Sequence, residues 1–421
     1  MTDLGGIRIT CLDSGIQVVT ESLPALRSVA VGFWLGTGSR DEPDDLAGAS
    51  HFLEHLLFKG TEQRTASEIA EAVESVGGDM NAFTTQELTA YYVRVPDHRL
   101  PLAVEILSDI VWSPALRPAD VESERQVILE EIRMRDDTPD DLVHDLFASA
   151  IFPDHPIGRN VLGDFESIGS MPRDAIAAFH AQHYHPSNVV VAAAGNLEHD
   201  AVVALVEAGL RREAGERPAR LPYCGEPAPK AVAVVEHDLE QVHLVLGVRA
   251  IRRDDPDRYA FGVLNQVLGG GMSSRLFQEV RERRGLAYSV YSYRSAFEET
   301  GALGIYAGTA RERLDELLGV LDGELDRILT DGGVSDHELE SAKGHLTGSL
   351  ALSLESSISR MHRIGRSMVQ LGEVPTLDDV VAECEAVTPD DVGRVVDRVL
   401  RDAPRTVAAV GPVSPDDLPR P

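Results

Sequence analysis

The residues with the clearest chemical potential are His51-Phe52-Leu53-Glu54-His55, in a segment that opens near Gly48-Ala49-Ser50 and reads as helix. At about 3.6 residues per turn, His51 and His55 fall one turn apart on one face with Glu54 beside them. Two imidazoles so placed can hold one zinc ion while the carboxylate reaches a water on it, the inverted counterpart of an HExxH helix. Phe52, Leu53, Leu56 and Leu57 would bury the remaining faces and hold the helix still. Two solvated or capped histidines on a helix would give the same pattern. A zinc site needs a third protein ligand, and the candidates lie in an amphipathic stretch from Ala119 to about Arg135, where Glu124 and Glu131 stand seven apart, two turns along one face. The neighbours Glu122, Glu130, Asp136 and Asp137 equally describe a solvated acidic face.

Other groupings carry less. His183-Tyr184-His185 precedes Pro186 with no carboxylate in register, and reads as a helix end and turn. His144 and His155 have no motif around them. The run Gly269-Gly270-Gly271-Met272-Ser273-Ser274 could cradle a phosphate, but neither GK[ST] nor GxGxxG is present, and a flexible turn is the better reading. Cys11, Cys224 and Cys384 are odd in number and without CxxC spacing, which suggests buried or free thiols and no disulfide framework.

The elements that must position these side chains follow from periodicity and turn residues. Ile7 to Cys11, Gln17 to Thr20, Val29 to Leu35, Tyr91 to Val95 and Val189 to Ala194 read as strands. Gly48 to Phe58, Ser67 to Val76, Leu100 to Val111, the Ala119 stretch and Val202 to Leu210 read as helices. Strands mixed with helices in this way predict an α+β layer fold. A Pro-, Gly- and charge-rich stretch, Arg211 to Lys230, interrupts all periodicity at mid-chain. We read residues 1–212 as one domain, 213–230 as a linker and 231–421 as a second domain.

The second half repeats the first. Arg40-Asp41-Glu42-Pro43-Asp44 after Val29 to Leu35 matches Arg253-Asp254-Asp255-Pro256-Asp257 after Val242 to Val248, an offset of 213. Val121-Glu122-Ser123 matches Leu339-Glu340-Ser341 at 218, and Val191 to Gly195 matches Val407 to Gly411 at 216. Three matches in order at nearly constant offset predict a tandem duplication. At these offsets His51, Glu54 and His55 fall on Leu264, Val267 and Leu268, and Glu124 and Glu131 fall on Ala342 and Ser349. The second copy therefore has no equivalent metal ligands, and one zinc per chain is expected.

Composition bounds the partners. The 421 residues are 43% hydrophobic and 26% charged, enough for more than one core. A formal charge of -30 argues against nucleic acid and anionic membrane surfaces as partners. The start carries no basic, then apolar, leader, and no stretch is long and apolar enough to span a bilayer, so a cytoplasmic protein is expected. Of 39 basic residues only Lys59, Lys230 and Lys343 are lysine, a bias read as compositional and given no functional weight.

His51-x-x-Glu54-His55, then Leu56-Leu57-Phe58-Lys59-Gly60-Thr61, then Gly77-Gly78-Asp79-Met80-Asn81-Ala82-Phe83-Thr84-Thr85, then Glu124-Arg125-Gln126-Val127-Ile128-Leu129-Glu130-Glu131, resembles the pitrilysin or M16 family of zinc peptidases. Within it the chain is similar to the mitochondrial processing peptidase subgroup and its bacterial relatives. The resemblance implies two homologous α/β domains in tandem, each a mostly antiparallel sheet packed with helices, the metallohydrolase fold of the processing peptidases. It implies that His51, His55 and Glu131 bind zinc, that Glu54 is the general base, and that Glu124 orients a histidine. It further implies that Asn81, Ala82 and Phe83 lie on an edge strand that pairs with peptide, and that Arg281 and Tyr288 contact the substrate backbone and help the tetrahedral intermediate. Without the resemblance, Arg281 would read as a surface arginine and Tyr288 as a core tyrosine. The implied activity is a metalloendopeptidase that cuts unfolded or extended peptides inside a chamber formed by a dimer, a homodimer or a heterodimer with a related chain. The alternative is a non-catalytic assembly or binding subunit of a peptidase complex.

Overall fold

The computed structural model describes residues 2–4, 6–216, 218–223, 225, 227–330 and 333–418. The chain forms two compact units that interleave along the sequence: Met1–Arg133, Arg159–Leu221 and Leu352–Thr376 make the first, and Met134–Gly158, Pro222–Ala351 and Leu377–Pro421 the second.

The first unit is built on a seven-stranded sheet of β1 (Thr2–Leu4), β2 (Ile7–Cys11), β3 (Gln17–Ser22), β4 (Ser28–Leu35), β5 (Asp79–Thr84), β6 (Thr89–Pro96) and β7 (Val189–Gly195). Their order is β1-β2-β3-β7-β4-β6-β5, with β3 and β7 parallel and every other pair antiparallel. Strand β4 shows why its sequence is an unbroken apolar run and not an alternation: both faces are covered. Val29, Val31, Phe33 and Leu35 point into a core with the helices Ala49–Leu57, Leu100–Trp112 and His199–Gly209, while Ala30 and Trp34 point into a second core. That second core is closed by Met361, Ile364 and Met368 of the helix Ser357–Leu371, which belongs to this unit although it lies late in the sequence. Burial of each such side chain contributes roughly 1.5–3 kcal/mol. Gly32 admits the helix, since a Cβ there would stand 2.8 Å from the Met361 sulfur.

The second unit has a five-stranded sheet of β8 (Val232–Glu236), β9 (Gln241–Ala250), β10 (Val290–Ala296), β11 (Gly301–Ala310) and β12 (Thr406–Gly411), in the order β10-β11-β9-β12-β8. Only β8 and β12 are parallel. This is the order β5-β6-β4-β7-β3 of the first unit, and the register repeats too. Val29 stands opposite Gly195, and Val410 opposite His243, which sets Gly411 against Val242, the positions that the sequence offsets assign to Gly195 and Val29. The helices Arg258–Gly269 and Asp336–Ser353 correspond likewise to Ala49–Leu57 and Pro118–Asp136. Two α/β units with mostly antiparallel sheets were expected from the sequence and are observed.

Boundaries differ by a few residues where side chains intervene. The last helix of the first copy starts at His199, three residues before the expected Val202, because both ring nitrogens of His199 bond threonine hydroxyls, Thr10 and Thr20, each at 2.8 Å. The stretch after Leu210 has no regular element, yet Arg220 is fixed to Asp41 and to the Gly36 and Glu87 carbonyls. Cys11 is an exposed and Cys384 a buried free thiol, and Cys224 lies outside the described residues. No described helix is long and apolar enough to cross a membrane.

Candidate metal centre

The histidine helix, Ala49–Leu57, is anchored at both ends. Its N-cap Gly48 has φ 92°, a conformation that favours glycine, and a Cβ there would stand 2.7 Å from the Leu162 carbonyl. No side chain of the cap itself bonds the helix. Instead the buried carboxyl of Glu42 accepts from Gly48 N and Ser50 N, each at 2.7 Å, and so takes up free N–H groups of the first turn. Burial pushes the Glu42 carboxyl up to about 8, against the opposing pull of these two backbone bonds and of Arg159. At the other end Phe58 N and Lys59 N return to the His55 and Leu56 carbonyls. Phe52, Leu53, Leu56 and Leu57 are buried, as their spacing predicts.

On the remaining face the side chains converge. His51 and His55 rings stand 4.6 Å apart, centroid to centroid. From the helix Pro118–Asp136, Glu131 Oε2 approaches His51 Nε2 at 3.7 Å and Glu131 Oε1 approaches His55 Nε2 at 3.6 Å. One ligand atom from each of His51, His55 and Glu131 lies within 4.8 Å of the others, and among the described residues no second such group occurs. Glu131 Oε2 is buried without a hydrogen-bond partner. Burial, and then its neighbour His55, pull His51 down to about 3, so the imidazole presents a lone pair and not a second N–H. Lone pairs of two imidazoles and a carboxylate turned on one point repel unless a cation sits between them, and His₂Glu is a donor set that suits zinc. The residues fit that metal.

Glu124, seven residues before Glu131 on the same helix, is almost completely buried and accepts from His55 Nδ1 at 3.2 Å, which leaves Nε2 as the nitrogen toward Glu131. Its other oxygen, Oε1, meets Lys59 Nζ at 2.6 Å. Glu54 turns to the sheet, where Thr84 Oγ1 donates to its Oε2 at 2.6 Å. Burial raises the Glu54 carboxyl, opposed by the Thr84 bond and His55, with Glu131 adding to the rise.

Thr84 ends β5, which pairs with β6 alone and forms an open edge of the sheet among the described residues. Asn81 and Ala82 lie along that edge, with Asn81 Oδ1 accepting from Ala82 N, and Phe83 turns back against Trp34 and His362. In the second unit Arg281 and Tyr288 are brought together: the guanidinium carbon stands 4.6 Å from the Tyr288 ring centroid and 4.8 Å from that of Phe277. Tyr288 is 80% exposed, so it is no core residue. Leu264, Val267 and Leu268 are buried in the core there, and Ala342 with them.

His183 ends a helix before the turn at Pro186, as its sequence suggests. Sequence reasoning gave no role to Glu42, Lys59 or Thr84. The signals available were a carboxyl six residues before the helix cap, a rare lysine one turn past His55, and a hydroxyl inside the segment Asn81 to Thr85.

Residues 17–164 match the family described as insulinase (peptidase family M16), and residues 170–346 match the peptidase M16 inactive domain. The chain is 45% identical to an uncharacterized zinc protease of Streptomyces coelicolor, over 97% of this chain and 90% of that one. It is 47% identical to one of Mycobacterium tuberculosis (93% and 90%) and 40% identical to one of Bacillus subtilis (91% and 93%). Among solved structures, a protease from Helicobacter pylori superposes with a TM-score of 0.89 at 25% identity, covering 97% of this chain and 100% of that one.

Proposed function

Because this chain belongs to the M16 peptidase family, we propose that it is a zinc-dependent endopeptidase in which His51, His55 and Glu131 hold one zinc ion per chain. The convergence of those three side chains carries the reading. Zinc held by those three side chains would supply a Lewis acid for the scissile carbonyl and lower the pKa of an attacking water. Glu54 takes the proton of that water on its carboxylate and passes it to the leaving amine. Its environment suits the task, because burial raises its proton affinity while the Thr84 hydroxyl holds it in place. Glu124 fixes the His55 ring through Nδ1.

Substrate is an extended peptide. The open edge of β5, at Asn81, Ala82 and Phe83, offers main-chain pairing, which is tolerant of side-chain identity and excludes folded chains. Since Thr84 of the same strand holds Glu54, a peptide paired there lies alongside the base. Arg281 and Tyr288 bind the substrate backbone and stabilise the developing oxyanion, supported by their exposure and mutual stacking. They belong to the copy without metal ligands, and a dimer in which one chain's pair serves the other's zinc site, around a closed chamber, accounts for a chain that carries both parts. The setting is cytoplasmic.

The test is metal content and chelator-sensitive cleavage of an unstructured peptide, with Glu54→Gln beside the unaltered chain. About one zinc per chain in both, with turnover lowered some 10²–10⁴-fold in Glu54→Gln, is expected. Near-normal turnover in Glu54→Gln means that the base is another residue.

A further inference from the structure

From the contact of Lys59 with Glu124 we infer that Lys59 is a positioning residue of the metal centre, fixing through Glu124 the nitrogen that His55 offers to zinc; the inference rests on the zinc site proposed above. Lys59 closes the histidine helix one turn beyond His55, its N–H on the Leu56 carbonyl and its own carbonyl held by Arg117. From there its ammonium reaches Glu124 Oε1 at 2.6 Å while Glu124 Oε2 takes His55 Nδ1. The carboxylate is thus shared, one oxygen to each partner. With its side chain only 4% exposed, Glu124 has little access to water, and a carboxylate buried beside an imidazole alone lacks both a counter-charge and a second hydrogen bond. Lys59 supplies both and leaves Oε2 free to hold the ring.

The choice of lysine is informative. This chain uses arginine at all but three of its 39 basic positions, yet lysine stands here. A guanidinium is a fork that matches both oxygens of a carboxylate, whereas an ammonium is a compact point charge that can occupy one. At this position a fork would compete with His55 Nδ1 for Oε2. The compositional bias, which by itself says nothing of function, marks the position where its exception has a physical reason.

The experiment measures zinc affinity of the full chain by competition with a chromophoric chelator, for the unaltered protein, Lys59→Met, Lys59→Arg, Glu124→Gln and Lys59→Met/Glu124→Gln. Loss of an interaction that orients a metal ligand typically weakens affinity about 10–100-fold. Lys59→Met and Glu124→Gln should each fall in that range, the double variant should be no weaker than Glu124→Gln alone, and Lys59→Arg should also bind more weakly than lysine. Zinc-free Lys59→Met should stay folded but unfold at a lower temperature, since buried Glu124 loses its counter-charge, and saturating zinc should return most of kcat to it. Unaltered affinity in Lys59→Met or Lys59→Arg overturns the inference, as does a double variant that shows the product of the two single losses. Should Lys59→Met not fold, Lys59→Gln takes its place under the same criteria. If the unaltered chain itself binds no zinc, the proposed centre fails, and not only the role of Lys59.

Discussion

Glu42 sets up a pH dependence whose sign and size follow from its burial. The carboxyl is raised from its ordinary 4.5 to about 8, chiefly by burial. Between those values the folded chain holds a proton that the unfolded chain has released, so stability is full below about pH 4.5 and is lost as pH climbs through about 8. The loss is about 1.4 kcal/mol per pH unit, or roughly 2–3 kcal/mol between about pH 5.5 and 7.5. Glu42→Gln keeps the shape and removes the titration. The chain's two tryptophans, Trp34 and Trp112, are both buried in the first unit, so their fluorescence during urea unfolding reports on the unit that contains Glu42. With zinc removed by chelation, the stability of Glu42→Gln relative to the unaltered chain should improve by that 2–3 kcal/mol across the range. Taking the difference cancels the general repulsion of a chain with net charge -30, which also grows with pH. Parallel curves for the two proteins would refute the reasoning, because Glu42 would then titrate alike in the folded and unfolded states.

Edge-strand pairing demands an extended substrate, so a denatured domain should be cut at least tenfold faster than its stable folded form; equal rates measured by mass spectrometry of the digests would contradict the pairing site. Glu54→Gln chains and Arg281→Ala/Tyr288→Phe chains should each be nearly inactive, and should regain activity when mixed under conditions that exchange subunits. Failure to regain it despite demonstrated exchange would assign the Arg281 and Tyr288 pair to its own chain, or to no role.

The sequence made much of this molecule legible for a physical reason: the zinc candidates are spaced by a single helix turn or two, and helix geometry carries such spacing directly into space. Periodicity put His51, Glu54 and His55 on one face but equally allowed a solvated pair, and the roles of Glu124 and Glu131 came from the family resemblance and not from spacing. The duplication was legible because three short segments, Arg40 to Asp44, Val121 to Ser123 and Val191 to Gly195, recur in order at offsets of 213 to 218, and the repeated register followed. Glu42 was not legible as a cap, because its carboxyl reaches Gly48 and Ser50 through a turn whose path no periodicity describes. The link from Glu54 to Thr84 joins a helix to a strand 30 residues away, and propensity is silent on such contacts. Nor did the sequence indicate the cover of the outer sheet face. Met361, Ile364 and Met368 recur at helical spacing, which fixes that one face is buried and not against which sheet.

That cover has a consequence for how the chain is made. Val19, Ala30, Trp34, Val190 and Ala192 line a sheet face that the helix Ser357–Leu371 closes. All the strands of that sheet have been synthesised once Gly195 is, and the closing helix is not complete until Leu371. At roughly 5–20 residues per second, translation leaves the face without its lid for on the order of ten to thirty seconds. A nascent chain in that interval displays an apolar sheet face together with the open edge of β5, the two features that invite chaperone binding or misassociation on the ribosome. Truncations that stop within the second half should therefore be insoluble even when every residue of the metal centre is present.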